Sequence, residues 1–297
     1  MLHLSLVCLL NNSNIKYRTT RVSSCPDYNK IKEIVLHNYN TLQLILDFCY
    51  MNNITSYRIP SNIIPLWTHP LYEEQCNDIF MELSDILLSI NTHNIELSCH
   101  PDQFILLNSL NNDVNIRSAK ELNKWGNISK YIPLKLLNIH IGGRQDSLST
   151  HTNIIRNSLD LLTDDTKNIL SFENDEKSYN IREVLSICER FKIMCVPDFH
   201  HQRCNNIKHN IDIDIVNYID EILATYDNKQ ALPTFHISSP KFGWNSSFKD
   251  CCSHADYIDS NDFPEELLIL GDHIDLILDV EAKCKQDAIF ALKNEWF

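Results

Sequence analysis

The chain has 297 residues, 43% of them hydrophobic, and a formal net charge of −13 at pH 7. That is apolar material enough for two average domains or for one β/α barrel of about 250 residues. The acidic balance argues against a protein that coats nucleic acid non-specifically, though not against a DNA enzyme, because bound metal ions reverse the sign locally. No stretch approaches the roughly 18 apolar residues that span a bilayer.

The run from Leu2 to Leu10 lacks a basic flank and a small-residue cleavage site, so it predicts a buried first strand rather than a signal peptide. Further strand-like runs lie at 54–60, 95–99, 134–140, 168–173, 193–198, 231–237 and 273–280, which with 2–10 makes eight. Helical spacing fills the gaps. Ile79, Leu83, Ile86, Leu87 and Ile90 predict a helix with one buried face. Asn180 is placed to cap a helix carrying Ile181, Val184, Leu185 and Cys188. Ile215, Ile219, Ile222 and Leu223 repeat the spacing before the seventh strand. This alternation, without linker or internal repeat, predicts a parallel sheet in a single domain over 1–297.

The strand ends carry the chemistry. In chain order these runs lead into His100, His140, Glu173, Asp198, His236 and Glu281. Side chains at so many strand ends favour an α/β TIM barrel, whose carboxyl ends share one mouth, over an open doubly wound sheet with one switch point. Asp198 and His201 are three apart, so one turn presents both, with His200 facing away. His254 lies in the loop after strand seven, and His69 follows strand two. The candidate metal ligands are therefore His69, His100, His140, Glu173, Asp198, His201, His236, His254 and Glu281.

Mixed imidazole and carboxylate ligands suit Mn²⁺ or Zn²⁺ and disfavour calcium. The absence of thiols at strand ends favours Mn²⁺, with Zn²⁺ or Mg²⁺ as alternatives. So many ligands imply two or three ions, an arrangement suited to in-line phosphoryl displacement. His3, His37, His93, His151 and His209 are read as ordinary hydrogen-bonded or solvated histidines. With only five glycines there is neither a GxGxxG fingerprint nor a phosphate loop, so no nucleotide cofactor is expected. Gly142-Gly143 is expected to let the backbone pass close to whatever His140 holds. The eleven cysteines form no CxxC pair and are read as reduced thiols, mostly in the core of a soluble intracellular protein.

Eight motifs then depart from the generic. They are Tyr57-Arg58-Ile59-Pro60-Ser61, His100-Pro101-Asp102-Gln103-Phe104, Asn138-Ile139-His140-Ile141-Gly142-Gly143 and Phe172-Glu173-Asn174-Asp175. Next come Pro197-Asp198-Phe199-His200-His201, Phe235-His236-Ile237-Ser238-Ser239, His254-Ala255-Asp256-Tyr257-Ile258 and Asp279-Val280-Glu281-Ala282-Lys283. In this order, across nearly the whole chain, they resemble the UV damage endonuclease family.

The resemblance implies a TIM barrel related to endonuclease IV and the xylose-isomerase-like enzymes. It implies a manganese-type trinuclear cluster on the nine residues above, with Glu173, His100, His140 and Glu281 at the catalytic centre. The implied reaction cuts the phosphodiester immediately 5′ of a UV photoproduct, leaving a 3′-hydroxyl and a 5′-phosphate. Gln103 and Phe104 match a glutamine-aromatic pair that looks like a finger probing the lesion, where an aromatic wedge fills an unstacked gap.

The implied partner is damaged double-stranded DNA, met by a monomer with no membrane association. Lys241, Arg144 and Lys283 are candidate phosphate contacts. The chain differs from the family's pattern on strand one, where Ser5-Leu6 and Leu10 replace a glycine-tyrosine pair and an asparagine. Asn11 or Asn12 is left to supply polar lesion contacts. Thr234 stands where the family tends to carry a lysine, and should sit one layer below His236. The rival readings are an abasic-site endonuclease of the endonuclease IV type, a sugar isomerase or epimerase, and a non-catalytic lesion-binding protein.

Overall fold

A computed structural model describes residues 1–296. Eight strands run in parallel: β1 (Leu2–Val7), β2 (Ser56–Ile59), β3 (Glu96–Cys99), β4 (Leu134–His140), β5 (Leu170–Glu173), β6 (Met194–Val196), β7 (Thr234–Ile237) and β8 (Leu276–Val280). Their order is β6-β5-β4-β3-β2-β1-β8-β7. The outer strands meet where Asp198 bridges His236 in parallel and the His236 N–H donates to the Pro197 carbonyl, 2.9 Å. The sheet is thus a nearly closed barrel, and two candidate ligands make its seam.

Alternation along each strand divides side chains between barrel interior and helical shell. On β4, Leu137 and Ile139 are fully buried among the helices, while Asn138 and His140 register with Ser171 and Glu173 of β5. Arg58 on β2 reaches across β1 to Asp279 on β8, so both must point into the barrel. The layer below the mouth is therefore polar, made by Ser5, Arg58, Asn138, Ser171 and Asp279, all buried. Arg58 pairs with Asp279, and the Ser171 hydroxyl donates to Asn138 Oδ1, as the cost of an unpaired buried polar group favours; Ser5 Oγ has no hydrogen-bond partner.

The strands are shorter than the apolar runs. β1 stops at Val7 because Cys8 turns to a left-handed φ of 65° and donates its N–H to the Arg58 carbonyl. β6 stops at Val196 because Pro197 has no N–H to give. The helix expected through Ile79 and Ile90 is broken into Glu73–Glu82 and Ser84–Leu88. Ile79, Leu83 and Leu87 are buried, but Ile86 is exposed, so the apolar face is narrower than expected.

Asn180 caps Ile181–Phe191 in a reciprocal capping box with Glu183. The segment at 215–223 is a 3₁₀ turn, Ile215–Tyr218, followed by the short helix Ile219–Ala224. Seven of the eleven free cysteines are buried, as expected of core thiols. Among the described residues, no helix is long and apolar enough to cross a membrane.

Candidate metal centre

The basin is built around Glu173, at the end of β5 and 1% exposed. Its carboxylate oxygens lie 3.4 Å from His100 Nε2, 3.2 Å from His201 Nδ1, 3.3 Å from His236 Nδ1 and 3.9 Å from His140 Nε2. Four elements deliver these imidazoles: the ends of β3, β4 and β7, and the helix Phe199–His209. Asp198 caps that helix by accepting from the His201 N–H, which fixes both residues on one turn.

Three overlapping groups of donor atoms result: His100, His140 and Glu173; Glu173, Asp198 and His201; and Asp198, His236 and Glu281. Within each, the donor atoms lie within 4.8 Å of one another. Glu173 and Asp198 are each shared by two groups, as carboxylates bridging neighbouring ions would be. Asp198 Oδ2, His236 Nδ1 and His140 Nδ1 are buried with no hydrogen-bond partner. Orphaned buried donors and acceptors are uncommon in folded proteins, and the first two stand in one ligand group. The donor set therefore fits divalent cations.

The electrostatics agree. Burial alone would push the Glu173 carboxyl up, but His236 and His140 hold it well below the usual carboxylate range. Burial would likewise raise Glu281, and Arg58 and His236 bring it down instead. Burial pushes His140 down, which favours its neutral, ligating form. His201 and His236 go the other way. Burial would lower them, but Asp198 and Glu173 around His201, and Glu173 and Asp279 around His236, hold both well above the ordinary value. With no cation bound, protons balance the carboxylates.

Two candidates stand apart. His254 is at the edge: its Nδ1 is 2.9 Å from the Glu281 carbonyl and 3.6 Å from the Glu281 carboxylate, but it joins none of the three groups. His69 joins none either. It is half-buried, its Nδ1 accepts from the Leu71 N–H, and its ring leans on Tyr72. His200 packs against the rings of Trp244 and His254, outside the groups. The five histidines read as ordinary are each hydrogen-bonded, His3 to Thr55 and His151 to the Asn108 carbonyl among them.

Outer partners of the ligands escaped the sequence reading. Asp279 Oδ2 is 3.2 Å from His236 Nε2, leaving Nδ1 to face the basin. Arg58 Nη1 lies 2.5 Å from Glu281 and 3.3 Å from Asp279. Asn138 donates to the Glu173 carboxylate, and the Asn174 side chain holds the backbone of Asp198 by two bonds. Arg58, Asn138, Asn174 and Asp279 all occur in the quoted motifs. For Asn138, Asn174 and Asp279 the usable signal was a two-residue offset from, or adjacency to, a ligand; Arg58 has no ligand near it in sequence.

Gly142 is needed for a different reason than expected. Its φ is +113°, and a Cβ there would strike Asn108 and Leu106, so the close approach is to those side chains. Leu6 is fully buried and Asn11 is tied to Gln286 and Asp287, so neither is free at the mouth. Thr234 is buried, and its hydroxyl donates to the Leu232 carbonyl. Gln103 and Phe104 are exposed on the loop after β3, Phe104 by 75%. Arg144 is paired with Glu183, whereas Lys241 and Lys283 are exposed.

The family model described as UV-endonuclease UvdE matches residues 3–296. A UV DNA damage endonuclease of Bacillus mycoides (strain KBAB4) is 29% identical over 269 residues, covering 89% of this chain and 82% of that protein. One from Bacillus cereus (strain B4264) is 29% identical over 274 residues, covering 90% and 83%. The crystal structure of SacUVDE superposes with a TM-score of 0.79 over 99% of both chains, at 22% identity. Endonuclease IV from Thermus thermophilus gives a TM-score of 0.56 at 10% identity, covering 99% of this chain and 98% of that one. At these identities the two structures speak for the barrel alone. The match across nearly every residue places the chain in the UV-endonuclease UvdE family.

Proposed function

We propose that this chain is a metal-dependent endonuclease that nicks double-stranded DNA at the phosphodiester immediately 5′ of a UV photoproduct, leaving a 3′-hydroxyl and a 5′-phosphate. The observation that carries this reading is the run of three donor groups joined by Glu173 and Asp198. His100, His140, Glu173, Asp198, His201, His236 and Glu281 would hold two or three Mn²⁺ ions, with His254 at the edge. When bound, such ions acidify water and neutralise charge on the attacking and leaving oxygens of an in-line displacement.

The protein's part is positioning. Asp279 fixes the ring of His236, Arg58 fixes Glu281, and the Asn138 amide fixes Glu173. Gln103 and Phe104 stand on the rim, where a ring can enter a weakened base stack while an amide meets base edges. A photodimer is already distorted and costs less to unstack than normal DNA, which supplies selectivity. Lys241 and Lys283 are free to meet phosphates; Arg144 must first leave Glu183. A closed sugar pocket would have no use for an exposed Phe104, which disfavours an isomerase.

The test is an end-labelled duplex carrying one cyclobutane pyrimidine dimer, incubated with the protein and Mn²⁺ beside undamaged and abasic duplexes. A single cut just 5′ of the dimer, abolished by EDTA, is expected. Cleavage of the abasic duplex alone would assign the chain to the rival nuclease activity. No cleavage with any divalent metal would overturn the proposal.

A further inference from the structure

The turn that carries Phe104 has a counterpart across the mouth. After β3, the Asp102 carbonyl accepts the Ile105 N–H at 2.9 Å, so Gln103 and Phe104 occupy the corners of a β-turn. After β7, the Pro240 carbonyl accepts the Gly243 N–H at 3.2 Å, and Lys241 and Phe242 occupy the corners. The third position of each turn is a phenylalanine held largely in solvent, 75% exposed for Phe104 and 60% for Phe242. In the strand order, β3 and β7 are four steps apart in either direction around the barrel. The two turns therefore rise from opposite rims, with the donor groups between them.

The second turn has a fixed base. Lys241 donates its N–H to the Ser253 carbonyl at 2.7 Å, and Pro240 bridges His254. Trp244 donates to Asp262 at 2.8 Å, and the Arg203 guanidinium lies 5.6 Å from the Trp244 ring. Gly243 takes a left-handed φ of 74° to close the turn. At the apex, Lys241 Nζ is 5.4 Å from the centre of the Phe242 ring. A rigid base thus presents an apolar face beside a cation, the pairing that meets a base or sugar and its phosphate together.

We propose that Lys241 and Phe242 form a second DNA contact, on the side of the scissile phosphodiester away from the lesion. Phe242 stacks on a base or sugar there, and Lys241 neutralises one phosphate. The reasoning rests on the proposed function: a strand seated over the basin with its lesion at Phe104 continues across the opposite rim.

The two side chains make separable contributions to binding. Affinity is measured across a salt series in Mn²⁺, on a dimer-containing duplex with a non-hydrolysable linkage at the cut. Phe242→Ala should weaken binding about tenfold, with the salt slope unchanged. Lys241→Gln should reduce the slope of log affinity against log salt by about 0.9. Both effects should vanish on a duplex that ends at the cut on the flank away from the lesion. Wild-type affinity and slope in both variants, or equal losses on the shortened duplex, would overturn the proposal. The same losses on undamaged DNA, from a wild-type protein that nicks no lesion, would retain the contact and sink the repair reading instead.

Discussion

His236 and Asp279 face each other across the β7–β8 pairing, with Nε2 3.2 Å from Oδ2 and both residues about 1% exposed. A carboxylate on the outer nitrogen of a histidine fixes its tautomer and raises the basicity of the inner one. Asp279→Asn keeps an acceptor for that hydrogen bond but removes the charge. Mn²⁺ affinity should fall by about 10–100-fold, the usual cost of losing such an outer partner. Calorimetric titration reads this directly, and unchanged affinity would show that His236 is not a ligand.

Arg58 is the cation beneath the basin, touching Asp279 and Glu281 at once. Arg58→Met leaves two buried carboxylates without it, a loss of about 3–5 kcal/mol in the metal-free protein. Divalent ions should restore part of this, because they offer the missing charge from above. Urea unfolding with and without Mn²⁺ tests both statements; equal destabilisation in the two conditions would count against a shared charge balance.

His201 and His236 are held protonated well above the ordinary histidine value by Asp198, Glu173 and Asp279. Ligation needs the neutral imidazole, so Mn²⁺ must displace protons. Affinity should rise with pH through neutrality, with about one to two protons released per loaded basin near pH 7. Titrations in two buffers of different ionisation enthalpy count these protons. A count of zero would mean that neither histidine coordinates.

Phe104 is 75% exposed and belongs to none of the three donor groups. Phe104→Ala should therefore spare Mn²⁺ affinity while reducing preference for the damaged duplex about tenfold, the scale of one lost stacking contact. Competition between damaged and undamaged duplexes measures it. Equal loss of metal binding and discrimination would argue that Phe104 supports the loop rather than probes DNA.

Burial pushes His200 down to about 4, against an ordinary value of 6.5. The unfolded chain therefore takes up this proton first as pH falls. Stability is full above about pH 6.5 and declines toward pH 4, by about 3 kcal/mol at most. In the metal-free protein, His200→Gln should flatten this part of the decline. Urea midpoints at pH 7 and pH 4.5 for both proteins isolate the difference; parallel slopes would refute it.

Much of the barrel was legible because strand ends repeat locally. Each run from Leu134 to His140 or from Leu170 to Glu173 carries its own alternation and its own terminal ligand. The helix break at Leu83 was not legible, since Ile86 has the right spacing and only the packed shell decides that it faces water. His69 shows the same limit from the other side. Its place after β2 matched the pattern, but the Leu66–Tyr72 loop folds back on itself, where His69 bonds Leu71 and touches Tyr72.

Amino-acid order by itself determined the eight apolar runs, the helical caps and the residue types at the strand ends, because those depend on neighbours a few positions away. Tertiary structure decided which ends converge, that Glu173 and Asp198 are shared between donor groups, and that Arg58 reaches Asp279 across β1. It also set the two phenylalanine turns on opposite rims. These relationships join residues as far apart as 58 and 279: β1 pairs with both β2 and β8 and so brings Arg58 and Asp279 into range, while closure at Asp198 and His236 completes the mouth.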